Sequence, residues 1–362
     1  MSSLGVHLQW VATAQTVTRV GFYSSFVGLV VLCLNYAGVQ KMIGRYKYLT
    51  MGFTVFGIIA ATLGIITCPY SHNFNAGALF FSLEQPLGAH LDGFLPATYP
   101  FSNSGLLALL STQFIYRYWA VFDAHKLRFF NKSYLLIWPT LCFSFGLVQV
   151  LTDSYFFATD NISTEYFREE MRHGYNWTIS EYPLVSILPY NPLDGSIRWR
   201  IIMGLLNLYI GFSFHYAFMM YCGWSMLSGM NEKIKNFSEI LRKLEKQLFR
   251  VLMLQMIAFT FLNLIPTVFI TLLPMFNLKI SLPTGSLLSC SLLYPATTSM
   301  ITMILVSEYK NSAKQVWVRI WYFGGTPVGD APGVPTTTPD EARSEVYCAP
   351  MMNFRNFPTA HI

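Results

Sequence analysis

The chain has 362 residues, of which 53% are apolar and only 12% are charged, and its mean hydropathy is +0.40. Because a soluble domain usually carries about 25% charged residues, this composition excludes an ordinary soluble protein and indicates a membrane protein with many spans. The net charge is +6, and its distribution matters more than its sum, since basic flanks orient membrane helices.

Apolar stretches of spanning length, which is about 20 residues for a helix, occur seven times, at residues 21–39, 48–68, 104–122, 134–157, 201–223, 251–274 and 284–306. We therefore predict an all-α membrane protein, a seven-transmembrane helix bundle formed by residues 21–310. Residues 1–20 are predicted to be an extracellular N-terminus without a cleavable signal peptide. Residues 311–362 are predicted to be a cytosolic tail, largely disordered because it is rich in Gly, Pro and Thr.

The basic residues predict the orientation of this bundle. Of the 24 Lys and Arg residues, 18 fall in segments on one predicted side, namely residues 40–47, 117–132, 233–250 and 310–362. The positive-inside rule makes that side cytosolic, which places the N-terminus outside and the C-terminus in the cytosol. The long loops 69–103 and 158–199 then lie outside, where they either cover the mouth of the bundle or serve only as connectors.

Acceptor triplets for N-glycosylation agree with this orientation. The triplets at Asn161 (NIS) and Asn176 (NWT) fall in the outer loop 158–199 and are predicted to carry glycans. The triplets at Asn131 and Asn236 fall on the cytosolic side and are expected to stay bare.

The sequence holds no pattern of enzyme chemistry. It has no HExxH motif, no Gly-rich phosphate loop and no Ser/His/Asp signature, and its six cysteines lack metal-ligand spacing, so we expect no enzyme, cofactor or metal site. Cys68 has no evident disulfide partner. A retinal photoreceptor needs a Schiff-base lysine, and residues 284–306 contain none. His215 and Asp153 stand alone in apolar stretches, where a packing role is expected.

Arg117 ends the third apolar stretch. An arginine in hydrocarbon is expensive, so it either snorkels to the lipid headgroups or is held there for a function. Further along, residues 231–250 are predicted to form an amphipathic helix that continues into the sixth span and contacts lipid, the neighbouring span or a partner. Pro266 and Pro295 interrupt the sixth and seventh spans and are candidate hinges of a switch.

Several segments resemble the nematode serpentine chemoreceptors, in particular the seven-transmembrane receptor (class r) branch that includes the diacetyl odorant receptor. The resembling segments are residues 42–49 (MIGRYKYL), 114–119 (FIYRYW), 244–250 (LEKQLFR), 294–296 (YPA) and 308–310 (EYK). The resemblance covers residues 20–310. It departs from the family pattern where Thr298 and Ser299 replace an Asp-Pro pair that usually follows the proline of the seventh span.

The resemblance implies a G-protein-coupled receptor of the plasma membrane in ciliated sensory neurons. Such a receptor detects small, often volatile odorants and activates a heterotrimeric G protein, and no nucleic-acid partner is expected. An odorant-gated ion channel and a small-molecule transporter are the rival classes. The predicted outside N-terminus opposes the channel, and the transporter would more often show internal repeats and paired intramembrane charges.

The receptor interpretation places a ligand cavity among the outer halves of the third, fifth, sixth and seventh spans. The candidate lining residues are Leu106, Asn207, Tyr209, Asn263, Phe269, Ser286 and Ser289. A few amides and hydroxyls on apolar walls suit a small neutral ligand such as a ketone or an alcohol, unless each group only bonds to a neighbouring helix. The sixth span is then expected to swing about Pro266 and open a cytosolic crevice for the G protein. The candidate coupling residues beside that crevice are Arg117, Tyr118, Lys246 and Arg250.

Overall fold

The computed structural model describes residues 3–37, 46–84, 95–131, 134, 136–176, 184–235 and 237–314. The tail beyond residue 314 and Asn236, the acceptor of one triplet, therefore lie outside the described residues. The helices are α1 (Ser3–Ser25), α2 (Val27–Ala37), α3 (Tyr46–Thr67), α4 (Leu95–Phe122), α5 (Ile137–Phe156), α6 (Asn161–Tyr175), α7 (Trp199–Lys233), α8 (Glu239–Phe259), α9 (Ile265–Leu272), α10 (Gly285–Ser289) and α11 (Tyr294–Leu305). The strands are β1 (Pro69–Phe74), β2 (Gly77–Ser82), β3 (Val185–Ile187) and β4 (Ser281–Leu282).

The helical prediction is confirmed, and each predicted span falls on one or more of these helices. Within the described residues, five helical runs are long and apolar enough to cross a membrane: His7–Tyr36, Tyr46–Thr67, Trp199–Lys233, Glu239–Phe276 and Gly285–Leu305. The predicted third and fourth spans lie on α4 and α5, which have 28 and 20 residues and carry polar side chains such as Gln113 and Gln149 in mid-helix. The count of seven spans and the orientation of the termini stay predictions.

Two helix boundaries differ from the sequence prediction. Helix α1 begins at Ser3, well before residue 21, and its N-terminal half packs against α6, where Ala14 joins Phe167 and Met171 in one buried cluster. Residues 231–250 do not form one helix, since α7 ends at Lys233 and α8 begins at Glu239. Ser238 caps the new helix by accepting a hydrogen bond from the backbone N–H of Leu241, and capping of this kind starts helices.

A four-stranded antiparallel sheet with the order β3-β2-β1-β4 joins the two long loops that were predicted to be outside. The all-α prediction missed it. Every residue from Pro69 to Asn73 is buried, so the strand lacks the alternation of apolar and polar residues that marks a half-exposed strand. Asn75 makes the hairpin turn with φ +49°, a left-handed conformation that asparagine tolerates.

The connectivity places all four strands at one end of the helix bundle. Strand β1 follows α3, β2 precedes α4, β3 precedes α7, and β4 lies between α9 and α10. We call this the sheet end, and the opposite end holds the C-terminus of α4 and the N-terminus of α8. Helix α6 covers the sheet: Phe167 and Met171 pack with Tyr70 and Leu79 in one buried cluster, and a Cβ at Gly77 would lie 2.4 Å from the Phe167 ring.

The helices that contain the two candidate hinges are irregular immediately before each proline. A π-helical segment, Thr260–Leu264, separates α8 from α9, which has Pro266 in its first turn. A 3-10 turn, Cys290–Leu293, precedes α11, which has Pro295 in its first turn. Proline removes one backbone donor and crowds the preceding turn, so the helix widens or tightens there.

Candidate functional site

A cavity of about 240 Å³ lies beneath the sheet. We call it the sheet-end cavity. Its walls come from α4, α5, α7, α9 and α10, and its roof comes from β1, β2 and β3. Most of the lining is aromatic or aliphatic, for example Tyr70, Phe81, Phe157, Phe212 and Leu288. A concave, mainly apolar site with few polar groups is typical of small-ligand binding.

None of the seven predicted lining residues lines this cavity in the part of the chain that the structure describes. Tyr209 comes nearest, because its hydroxyl lies 2.7 Å from Oγ1 of Thr271, which does line the cavity. Leu106, Asn263 and Ser289 are buried elsewhere in the bundle.

The other three predicted residues are less enclosed: Asn207 and Phe269 are exposed on the outside of the bundle and Ser286 is half-buried. The predicted residues lie in stretches that border the cavity, but on other faces of those helices. Leu208 and Leu288 do line the cavity, each one or two positions from a predicted residue. Each residue turns a helix by about 100°. An error of one position therefore moves a side chain from the cavity wall to the outside of the bundle.

The polar groups of the cavity wall lie mainly on α4 and α5. Asn103 is buried, and its Oδ1 has no hydrogen-bond partner among the described residues. On α5, Gln149 Nε2 donates to Asp153 Oδ1 at 2.8 Å. Asp153 was expected to serve packing alone, yet it lines the cavity. For His215 the packing role fits the structure, since its Nδ1 lies 2.9 Å from Ser111 Oγ on α4.

A buried ion pair joins α4 to α8 at the opposite end of the bundle. Arg117 Nη1 donates to both carboxylate oxygens of Glu245, at 3.0 and 2.9 Å. The two side chains are only 4% and 12% exposed. The guanidinium also lies 3.7 Å from the ring centroid of Tyr46 on α3, a cation–π contact. Arg117 is therefore enclosed by three helices and does not snorkel to the headgroup level.

The other predicted coupling residues are not in this pair. Tyr118 is partly exposed and its ring contacts Phe122 and Tyr221, while Lys246 is half-buried and Arg250 is exposed. Glu245 lies within residues 244–250, which resemble the family, but it was not predicted to be at the site. Its negative charge could have identified Glu245 from the sequence, because a buried arginine requires a carboxylate partner.

A polar layer lies between Arg117 and the core. Tyr46 donates to Gln113 at 3.0 Å, and Gln255 donates to Thr302 at 3.3 Å. The hydroxyls that replace the family Asp-Pro pair, Thr298 and Ser299, both donate to the carbonyl of Pro295. They satisfy backbone next to the proline, a role that hydroxyl side chains commonly take in helices.

A second polar cluster ties the sheet to α6. Nε2 of His72 lies 3.1 Å from Oε1 of Glu170, Ser281 donates to the same oxygen, and the Tyr175 hydroxyl lies 3.0 Å from Nδ1 of His72. Burial raises the pKa of Glu170, but the hydrogen bonds from His72 and Ser281 and the nearby imidazole outweigh it, so the pKa lies below the ordinary value. This carboxylate is therefore charged and stabilises the sheet end at neutral pH.

Both predicted glycosylation sites lie on α6. Asn161 is its first residue and Asn176 is its C-cap, and both side chains are exposed. The residue that completes the second triplet, Thr178, lies outside the described residues. A glycan on either asparagine thus stays a prediction that fits the exposure of the acceptor.

Comparison with known proteins shows which proteins the chain is similar to. The family model described as serpentine type 7TM GPCR chemoreceptor Str matches residues 14–314. The chain is 28% identical to the G-protein coupled receptor str-33 of Caenorhabditis elegans over 316 residues, which are 84% of this chain and 91% of that protein. It is 28% identical to the serpentine receptor class r-10 of the same species and 27% identical to that of Caenorhabditis briggsae, in each case over 84% of this chain and 90% of the relative.

Proposed function

This chain belongs to the Str family of serpentine 7TM GPCR chemoreceptors, and from that premise we propose that it is an olfactory receptor that binds a small ligand in the sheet-end cavity and activates a heterotrimeric G protein. As a member of this family, the chain is a multi-pass protein of the plasma membrane and a receptor, not an enzyme. The observation that carries the proposal is the buried Arg117–Glu245 ion pair at the end of the bundle away from the cavity.

Two helical rods run from the cavity to this ion pair. Helix α4 lines the cavity with Asn103 and Ser104 and carries Arg117 near its other end. The rod formed by α8 and α9 carries Glu245 at one end and lines the cavity with Thr267 at the other. A ligand that changes how these rods pack at the cavity therefore acts on the contact between them, which is about 20 Å away along α4 and about 30 Å away along the second rod, given a rise of 1.5 Å per residue.

The irregular segment before Pro266 gives the second rod a place to bend. The π-helical turn Thr260–Leu264 lies between Thr267 and Glu245, and such turns are found where helices adjust. In the proposed mechanism, a ligand that binds one packing of the rods better than the other shifts their population. Separation of Arg117 from Glu245 then opens a crevice, predicted to be cytosolic, that receives the G protein.

We also propose the location of the receptor in the cell. We place the receptor in the cilium of a sensory neuron, where it serves chemotaxis, with glycans at Asn161 and Asn176 on the outer loop. The support is the family, the exposure of both asparagines and the predicted orientation of the charges.

The test is expression of the receptor in cells, with a panel of odorants, and separate recording of second messenger and membrane current. The proposed function predicts a ligand-evoked messenger response that requires the G protein and no direct current. A current that persists without the G protein would instead identify an odorant-gated channel.

A further inference from the structure

The sheet-end cavity offers hydrogen-bond acceptors that the described residues leave unused. Asp153 lines the cavity, and its one side-chain hydrogen bond among the described residues comes from Gln149 Nε2 to Oδ1. A carboxylate has two oxygens with about four acceptor positions. Most of the acceptor capacity of Asp153 is therefore open to a molecule in the cavity.

No basic side chain in the part of the chain that the structure describes forms an ion pair with Asp153. The carboxylates of Asp160, Glu170 and Glu245 each lie against an arginine or a histidine, and Asp153 does not. A carboxyl group inside a bundle that lacks a cation is unfavourable in its charged form. A cationic ligand would supply the missing partner.

Asn103 provides a second acceptor, on the α4 wall of the cavity. Its side chain is 6% exposed, and Oδ1 has no hydrogen-bond partner among the described residues. Buried amide oxygens are normally paired, and an unpaired one usually marks a place for a water or a ligand. Two walls of the cavity, one from α4 and one from α5, thus present oxygen acceptors. A ligand that donates hydrogen bonds would pair with them.

The size and lining of the cavity limit the rest of the ligand. An apolar cavity of about 150 Å³ holds a benzene molecule, so about 240 Å³ accommodates one ring with a short chain. Phe81, Phe157 and Phe212 supply apolar and aromatic walls for such a ring. The ligand is therefore a small apolar body with one polar end.

We propose that the sheet-end cavity binds a small primary amine in its ammonium form, with the ammonium on Asp153 and the apolar body against the aromatic wall. This inference rests on the proposed function and names the ligand class for the same site. An ammonium carries three donors and no acceptor, which complements the open acceptor positions of Asp153. A ketone or an ester has no donor, and an alcohol has one and no charge.

The experiment measures thermal unfolding of the purified full-length receptor with three probes of matched size: 2-phenylethylamine, 2-phenylethanol and 3-phenylpropanoate. A ligand that binds the folded protein raises its unfolding temperature. We expect the amine to raise it at lower concentration than the alcohol and the acid to have no effect. Since this comparison uses the natural receptor, it does not depend on the folding of any variant.

The matching variant is Asp153→Asn, which keeps an acceptor for Gln149 but removes the charge. We expect the amine to bind roughly ten- to a hundredfold more weakly, which is the usual range for loss of a charged hydrogen bond, while binding of the alcohol is unchanged. The control is Asp194→Asn, the same substitution on an exposed turn, which should leave the amine preference intact.

Equal binding of amine and alcohol to the natural receptor, binding of neither, or an unchanged amine preference in Asp153→Asn would each overturn this inference. These outcomes are separate from failure of the proposed function, because unfolding temperature requires no signalling. An amine that stabilises the receptor but evokes a current without the G protein would refute the receptor function and leave the amine site. A messenger response to neutral odorants, without amine preference, would do the reverse.

Discussion

Removing the charge of Glu245 should turn the receptor on without ligand. In Glu245→Gln the guanidinium of Arg117 remains, 4% exposed, against an uncharged amide. Breaking one side of a buried ion pair costs about 3–5 kcal/mol, and this cost applies only while α4 and α8 are together. The closed packing is therefore destabilised relative to the open one, in which Arg117 reaches water.

The expected magnitude follows from the lower limit of that range. About 3 kcal/mol corresponds to a change of roughly 150-fold in an equilibrium constant. A minor state often has a population near 1%, and such a shift would bring the open form to more than half of all receptors, by the same arithmetic. Ligand-independent signalling should therefore rise from near background to a large part of the maximal response.

The assay is basal second messenger in cells, divided by the amount of tagged receptor at the surface. The control is Glu239→Gln on the same helix, where the side chain is exposed and makes no ion pair with any described residue. Basal signalling of Glu245→Gln equal to that of the natural receptor, or an equal rise in the control, would refute the assigned role of the ion pair.

Three further outcomes are expected. Arg117→Ala should reach the cell surface yet lose ligand-evoked messenger, because the residue proposed to contact the G protein is gone; normal signalling would remove that role. Asn161→Gln and Asn176→Gln should each lower the apparent mass on a gel by one glycan, and no shift in either would contradict the predicted orientation. The lowered pKa of Glu170 means that its stabilisation is present above the ordinary carboxyl value of about 4.5 and is lost as pH falls through the folded value. The unfolding temperature of Glu170→Gln should thus lie below that of the natural protein at pH 7, with the gap closing only as pH falls below about 4.5, whereas Glu169→Gln, which alters an exposed side chain, should show no such gap.

The family and the helical class could be predicted from the sequence, because both depend on local patterns. Apolar runs of about 20 residues mark helices in hydrocarbon wherever they fold. The segments around Arg117 and Pro295 carry the family resemblance, which the match over residues 14–314 confirms. The prolines also marked where the helices become irregular, since a missing backbone donor acts within one turn.

The partner of Arg117 could not be predicted in the same way. Arg117 and Glu245 are 128 positions apart in the chain, and the neighbouring Lys246 was predicted to be at the site instead. Which of two adjacent side chains faces α4 depends on the rotation of α8 about its axis, and one residue changes that direction by about 100°. The rotation is set by packing of Leu244, Leu248 and Leu252 into the buried clusters.

The sequence alone determined that this chain is a bundle of apolar helices of the chemoreceptor kind, because hydrophobic length and short motifs are properties of neighbouring residues. Only the tertiary structure decided that β1, β2, β3 and β4 form one sheet over a cavity, that Asp153 and Asn103 both line that cavity, and that Arg117 is held by Glu245. Each of these depends on the relative rotation and depth of helices far apart in the chain, which packing between them fixes.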